Sequence, residues 1–131
     1  MSKGKVLVVD DDLIVLEATR ERLQRAGYDV ETRDEAIGTT EYIAKHQPDV
    51  VLLDVMMPGL SGDRLAQLLK KQPRTRDVPI ILHTSKSAGE LEALVQQSEA
   101  IGAIEKTNDD DQFMLEFQRL VSRARLRKSQ G

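Results

Sequence analysis

The feature that most constrains the fold is an unbroken apolar run near the middle of the chain. Residues 50–53 read Val-Val-Leu-Leu, and a run without polar alternation is typical of a strand covered on both faces by helices. The run ends in Asp54, and the Pro58-Gly59 pair predicts a turn shortly afterwards. Ligands of open α/β sheets bind at the carboxyl ends of the strands. We therefore take Asp54 as the reacting group.

A second apolar strand with the same design lies near the N-terminus. Residues 5–9 read Lys-Val-Leu-Val-Val, and three acids follow directly: Asp10, Asp11 and Asp12. Aspartate is favoured at helix N-caps, and we assign that role to Asp12. The same explanation could apply to Asp10 and Asp11, but their position at the end of a buried strand favours a role in a site.

Strand and helix alternate five times along the chain. Further strands are predicted at residues 29–33, 78–82 and 100–104. The modest hydrophobicity of residues 29–33 indicates an edge strand. Helices are predicted between the strands, and one of them covers residues 36–45. The others have apolar stripes that include Leu16 and Leu23, Leu65 and Leu69, Leu91 and Leu94, and, in the helix from near Asn108 onward, Phe113 and Phe117. This alternation predicts a parallel sheet with helices on both faces.

The composition limits the classes of function. A chain of 131 residues without cysteine indicates one domain with no disulfide and no cysteine-based metal site. Its apolar runs are far shorter than the ~20 residues of a membrane span, so we expect a cytoplasmic protein without a membrane partner. The net charge of −3 argues against general nucleic-acid affinity.

The charge is nevertheless uneven. All charged residues from residue 119 onward are basic: Arg119, Arg123, Arg125, Arg127 and Lys128. This basic end could contact a partner or RNA. We prefer a solvated helix end, because cations there suit the helix dipole.

Polar side chains follow four of the five predicted strands: Asp10 and Asp11, Asp54, Thr84 and Lys106. Because the carboxyl ends of parallel strands share one edge, we expect these residues to converge. Two carboxylates ~4 Å apart repel by about 4 kcal/mol at an effective dielectric constant of about 20, so folding stability alone would not select the cluster. A divalent cation with oxygen ligands, such as magnesium, would relieve the repulsion, and Lys106 and Thr84 suit a phosphoryl group. The glycine pattern of a nucleotide-binding loop is absent from the sequence.

Taken in order, these pieces resemble the receiver domain of response regulators in bacterial two-component signalling. The resemblance extends over about residues 5 to 121 and is carried by residues 8–11, 52–54, Met57-Pro58, Gly62, 81–85 and Lys106. It implies a flavodoxin-like (βα)5 fold, with a five-stranded parallel sheet in the order 2-1-3-4-5 and helices on both faces. Residues 1–122 would form the receiver domain. Residues 123–131 would be a basic tail or the start of a linker.

The resemblance also implies a role for each site residue. Asp54 would accept a phosphoryl group from a phosphohistidine of a histidine kinase or histidine phosphotransfer protein. Magnesium would be held by Asp11 directly, by Asp10 through water, by Asp54, and by the backbone carbonyl of Met56. Lys106 and Thr84 would bind the phosphoryl oxygens.

The same resemblance implies a signalling protein that catalyses its own phosphorylation and dephosphorylation and is not a turnover enzyme. It would be a monomer or a phosphorylation-dependent dimer that switches its partner binding. The output partner is not specified by the sequence.

The sequence departs from the family pattern at several positions. Ala103 occupies the place of an aromatic switch residue, so rotation of a ring cannot be the output here. Thr107 replaces the proline that usually follows the lysine, and we expect no cis bond there. Met56 and Lys86 lie at the two loop positions that modulate dephosphorylation in the family.

Two alternatives remain open at this stage. A haloacid-dehalogenase-like phosphatase also carries an Asp-x-Asp motif, and residues 10–12 fit its letters, but the chain is short for that fold with a cap. A receiver that only binds a partner is the second alternative, and the complete set of site residues counts against it. His46 and His83 are interpreted as structural or solvated.

Overall fold

Strands and helices alternate along the chain in a computed structural model that describes residues 2–85 and 88–130, with side chains for all of these except residues 88 and 126–130. The strands are β1 (Lys5–Val9), β2 (Asp29–Arg33), β3 (Val50–Asp54), β4 (Ile80–Thr84) and β5 (Gly102–Glu105). The helices are α1 (Leu13–Arg25), α2 (Thr39–His46), α3 (Gly62–Lys70), α4 (Ala88–Ser98) and α5 (Asp110–Gln130).

The strands form one parallel sheet in the order β2-β1-β3-β4-β5. The flavodoxin-like order 2-1-3-4-5 and the edge position of residues 29–33 are therefore confirmed. The three central strands are the apolar ones, and residues 6–9, 50–53 and 80–82 are at most 3% exposed. A strand buried on both faces must be apolar at every position, which explains the missing alternation.

Two apolar cores lie on opposite faces of the sheet, because successive strand residues point to opposite sides. One core joins alternate strand residues to α2 and α3, with Leu94 of α4 packed against it, and its members include Leu7, Val51, Leu53, Leu82, Ile43, Leu65 and Leu69. The other joins the remaining strand residues to α1 and α5, and its members include Val8, Leu52, Ile81, Leu23, Phe113 and Phe117. The sheet edge at which the predicted site residues lie is therefore packed by helices on both faces.

Several element boundaries differ from the sequence-based prediction. The second helix, expected from Ala36, begins at Thr39, because Gly38 adopts φ +84° and Ala36 is buried in the preceding loop. The fourth strand, expected at residues 78–82, starts at Ile80 and runs to Thr84. Pro79 has no backbone N–H to contribute to the ladder, so the strand starts after it.

The last helix is continuous from Asp110 to Gln130. It begins after Asp109, whose carboxylate accepts a hydrogen bond from the backbone N of Gln112 at 3.1 Å. The helix runs past residue 122, and the division of the chain there stays a prediction. Within residues 2–85 and 88–130, none of the helices is both long and apolar enough to cross a membrane.

Candidate functional site

The carboxyl ends of β1 and β3 bring three acids together. Val9 pairs with Leu53 in the sheet, so Asp10 and Asp54 follow adjacent positions on neighbouring strands. One carboxylate oxygen from each of Asp10, Asp11 and Asp54 lies within 4.8 Å of the others. Asp10 and Asp54 are buried, whereas Asp11 is exposed. The structure thus brings together the three acids that the sequence predicted to meet.

The two carboxylate oxygens of the buried Asp10 have different surroundings. Its Oδ1 accepts a hydrogen bond from the backbone N of Asp12 at 2.9 Å. Its Oδ2 forms an ion pair with Lys106 Nζ at 3.1 Å, and among the described residues this buried oxygen has no hydrogen-bond donor. A buried carboxylate oxygen without a hydrogen-bond donor lowers the stability of the fold unless positive charge compensates it.

Lys106 lies between the two buried acids. Its Nζ is 3.4 Å from Asp54 Oδ1 as well as near Asp10, and its backbone N donates to Thr84 O at 2.7 Å. Burial lowers the pKa of Lys106, but its interactions with the carboxylates of Asp10 and Asp54 outweigh this effect, so the pKa is raised. Lys106 therefore remains a cation throughout the physiological pH range.

Asp54 is fixed by the turn that follows it. The backbone N of Met56 donates to Asp54 Oδ1 at 3.1 Å, and Gly62 N donates to Val55 O at 3.1 Å. A Cβ at Gly62 would lie only 2.0 Å from Asp54 O, so glycine alone allows α3 to start this close to the strand end.

Burial, together with the charge of Asp10, raises the pKa of Asp54 to about 6 against the lowering effects of the Met56 hydrogen bond and of Lys106. The folded protein binds the Asp54 proton more tightly than the unfolded chain does. Protonation of Asp54 therefore stabilises the fold at low pH, and this contribution to the free energy of unfolding is lost as pH rises through about 6. A shift of one pKa unit corresponds to about 1.4 kcal/mol. After a discount for solvent screening at the sheet edge, we expect an effect of about 1–2 kcal/mol.

The Asp54→Asn variant is therefore expected to have a flatter pH profile of stability than the wild type. Without added metal ion, its free energy of unfolding should exceed that of the wild type by about 1–2 kcal/mol at about pH 8 and match it near pH 4. Urea unfolding at several pH values measures the difference. Asp34→Asn, an exposed acid just after β2, is the control and should leave the wild-type profile unchanged. Parallel profiles for wild type and Asp54→Asn would contradict the origin assigned to the shift.

Thr84 and Met56 lie at the same edge as the acids. Thr84 is the last residue of β4 and is fully buried, while Met56 is 60% exposed in the turn after Asp54. Ala103 is partly buried against the core of α2, α3 and α4, and the bond before Thr107 is not cis. Lys86 lies outside the described residues. His46 stacks on Tyr42 in α2, with ring centroids 4.0 Å apart.

Two residues near the site were not singled out for it from the sequence. His83 is buried beside Phe113, with ring centroids 5.6 Å apart, and its Nε2 has no hydrogen-bond partner within the part of the chain that the structure describes. Burial lowers the pKa of His83 to about 3, with smaller effects of Lys106 and Arg22, so the ring is neutral at physiological pH. Arg22 of α1 donates to Thr107 O at 3.0 Å, next to Lys106.

The acid cluster fits a small divalent cation. Magnesium binds oxygen ligands at about 2.1 Å, so opposite ligands are about 4.2 Å apart, close to the 4.8 Å within which the three carboxylate oxygens lie. The oxygen of Asp10 without a donor offers one ligand, and the exposed carboxylate of Asp11 offers another next to solvent. The cluster could therefore hold a metal ion, and its carboxylate oxygens are the donor type that magnesium prefers.

The chain belongs to the response regulator family: the family model described as response regulator receiver domain matches residues 6–118. A relative in Pseudomonas aeruginosa, the phosphate regulon transcriptional regulatory protein PhoB, is 38% identical over 98 residues, or 75% of this chain and 42% of that protein. The DNA-binding dual master transcriptional regulator RpaA of Synechocystis is 28% identical over 91% of this chain and 49% of its own length. The chain thus spans about half or less of these curated relatives.

Solved receiver structures share the fold. The chemotaxis protein CheY4 of Vibrio cholerae superposes with a TM-score of 0.81 at 27% identity, covering 89% of this chain and 98% of that one. Membership of this family excludes the dehalogenase-like phosphatase.

Proposed function

We propose that this chain is a phosphoacceptor domain that takes a phosphoryl group onto Asp54 and then changes its partner binding. The observation that carries the proposal is the environment of Asp54. This carboxylate is 2% exposed, lies 3.4 Å from the ammonium group of Lys106, and shares a cluster with Asp10 and Asp11. A carboxylate among other acids and one cation is suited to receive an anionic group only if further positive charge accompanies that group.

The chemical step is an in-line transfer between a phosphohistidine nitrogen and a carboxylate oxygen. An oxygen of Asp54 forms a bond to phosphorus while the bond from phosphorus to the imidazole nitrogen breaks, and the product is an acyl phosphate. The electron pair of the broken bond stays on the imidazole, which takes up a proton as it leaves. Asp54 must be ionised to attack, and with a pKa of about 6 it is largely ionised at neutral pH.

The other residues neutralise and orient the transferred group. Lys106 places its charge beside Asp54 Oδ1 and can pair with a phosphoryl oxygen. Thr84, at the end of β4, is suited to bond another oxygen through its hydroxyl. Asp10, Asp11, Asp54 and the backbone carbonyl of Met56 would hold magnesium, which supplies the positive charge that offsets the acids and the phosphoryl oxygens.

The test is to incubate the protein with a small phosphodonor such as phosphoramidate and magnesium and to measure its intact mass. We expect one added phosphoryl group in the wild type and none in Asp54→Asn, because the amide is a poor nucleophile. Asp34→Asn, which removes an exposed acid at the same edge of the sheet, should be modified like the wild type. An unmodified wild type would favour a receiver that only binds a partner.

The partners follow from the same proposal. The donor would be a histidine kinase or a histidine phosphotransfer protein, and the domain would not be a turnover enzyme but would act on its own aspartate. The relatives include DNA-binding regulators by name, while CheY4 is a chemotaxis protein, so similarity does not narrow the output partner. We propose a cytoplasmic location, since two-component phosphotransfer takes place there.

A further inference from the structure

The loop that follows Lys106 is held by a side chain from the opposite end of the sequence. Residues 106–109 connect β5 to α5, and Lys106 N is bonded to Thr84 O at their start. Arg22, near the end of α1, donates from Nη2 to Thr107 O at 3.0 Å. The backbone around Lys106 is thus bonded to β4 through its own N–H and, one residue further on, to α1 through the Thr107 carbonyl.

Arg22 makes three contacts at once. Besides Thr107 O, its Nε donates to Asp110 Oδ1 at 2.6 Å, and its guanidinium lies over the Phe113 ring at 4.7 Å from the centroid. Its side chain is only 10% exposed. A planar guanidinium can hydrogen-bond in its plane while it stacks on a ring, which an ammonium group cannot reproduce. Arg22 therefore ties α1 to the loop and to the first turn of α5.

The loop has reason to need such a contact. Thr107 lacks the ring by which a proline fixes φ, and its Oγ1 accepts a local hydrogen bond from Asp109 N at 3.1 Å. Without Arg22, the Thr107 carbonyl would lose its bond from α1, and the Lys106 backbone could shift with it. Lys106 Nζ must stay within ion-pair distance of both Asp10 and Asp54, at 3.1 and 3.4 Å.

We infer that Arg22 is a positioning residue that acts through Lys106 by fixing the backbone from which this lysine reaches the site. The inference rests on the proposed function for its effect on phosphorylation, but not for its effect on Lys106 itself. A displacement of about 1 Å in a reacting group can cost about a hundredfold in rate. The flexible lysine side chain offsets part of such a shift, so we expect about a tenfold slower phosphorylation in Arg22→Ala.

Arg25 provides a matched control. It lies on the same helix and its Nη2 pairs with the same acid, Asp110, at 3.1 Å, but its side chain is 65% exposed. Arg25→Ala removes the same charge and shares the loss of an Asp110 contact, without touching the Arg22 bond to Thr107. Phosphorylation of Arg25→Ala by phosphoramidate and magnesium should stay within about twofold of the wild type.

Two further measurements separate positioning from a general loss of stability. In a Lys106→Ala background, adding Arg22→Ala should slow phosphorylation by less than about twofold, because the residue through which Arg22 acts is gone. In protein labelled with ¹⁵N-lysine, the Lys106 Nζ signal should shift or broaden in Arg22→Ala and remain in place in Arg25→Ala. The signal needs no phosphorylation, so it decides the inference even if the wild type accepts no phosphoryl group.

Arg22→Lys is the second variant if Arg22→Ala does not fold. It keeps the charge and the aliphatic stem, but an ammonium group cannot donate to Thr107 O and Asp110 in one plane and stack on Phe113 at the same time. We expect it to remain slow. A wild-type rate in Arg22→Lys, an unmoved Lys106 signal in the alanine variant, or a full tenfold loss in the Lys106→Ala background would each overturn the inference.

Discussion

The Lys106→Ala protein is expected to lose about 2 kcal/mol of stability at about pH 8 without metal ion, and to be phosphorylated about a hundredfold more slowly. Removing the lysine leaves the buried carboxylates of Asp10 and Asp54 without their cation. Breaking a fully buried pair costs about 3–5 kcal/mol, and the partial exposure of Lys106 reduces this value. Urea unfolding and the phosphoramidate reaction measure the two effects.

The loss of stability should depend on conditions that change the carboxylate charge. At about pH 5, protonation of Asp54 relieves the repulsion, so the variant should lie closer to the wild type. Magnesium should restore part of the loss by supplying positive charge to the same acids.

Lys70 is the matched control for this variant, since it is also half-buried but its Nζ donates to the carbonyls of Arg76 and Val78. Stability lost in Lys70→Ala should not return with magnesium. Equal recovery in both variants would contradict the account of the Lys106 ion pairs.

Gly62→Ala is expected to destabilise the protein by about 3 kcal/mol or more and to slow phosphorylation. A Cβ at this position would lie 2.0 Å from Asp54 O and 2.7 Å from Asp54 C. Backbone atoms cannot give way as a flexible side chain can, so either α3 or the end of β3 must move. Movement of β3 would displace the Asp54 carboxylate itself.

Gly89→Ala serves as its control, because a Cβ at Gly89 in α4 meets no atom of the described residues within 4 Å apart from its chain neighbours and its own helix backbone. It should leave stability unchanged or raise it by about 0.5–1 kcal/mol, since alanine is the better helix former. Thermal unfolding of both variants, with magnesium affinity as a readout of the acid cluster, completes the comparison. A Gly62→Ala protein as stable as the wild type would contradict the close approach of α3 to Asp54.

Much of the fold could be predicted from the sequence because the central strands are uniformly apolar. The runs before Asp10 and Asp54 are typical of strands covered on both faces, and the alternation of strands and helices then predicts that their carboxyl ends lie at one edge of a parallel sheet. This reasoning located Asp10, Asp11, Asp54 and Lys106 without any contact information. Hydrophobic periodicity was less useful where the chain turns, so the start of α2 was placed three residues early, at Ala36 instead of Thr39.

The supporting contacts could not be predicted in the same way. Arg22 and Thr107 are separated by 85 positions in the chain, and an arginine near a helix end has many explanations. The sequence left open whether His83 is structural or solvated, because a histidine at a strand end is as compatible with solvent as with the core, and the structure buries it beside Phe113. Such contacts depend on how α1 and α5 pack against the sheet, and a one-dimensional pattern does not specify that packing.

The bond from Lys106 N to Thr84 O is the outermost rung between β4 and β5, and it joins two residues proposed to hold the same phosphoryl group. If phosphorylation moves the backbone of either residue toward Asp54, this hydrogen bond would transmit the movement to the other residue and to the start of α5. The peptide backbone could then carry the signal away from the site where many receivers rotate a ring. A chain with alanine at position 103 would in this way change its partner binding without the rotation of an aromatic side chain.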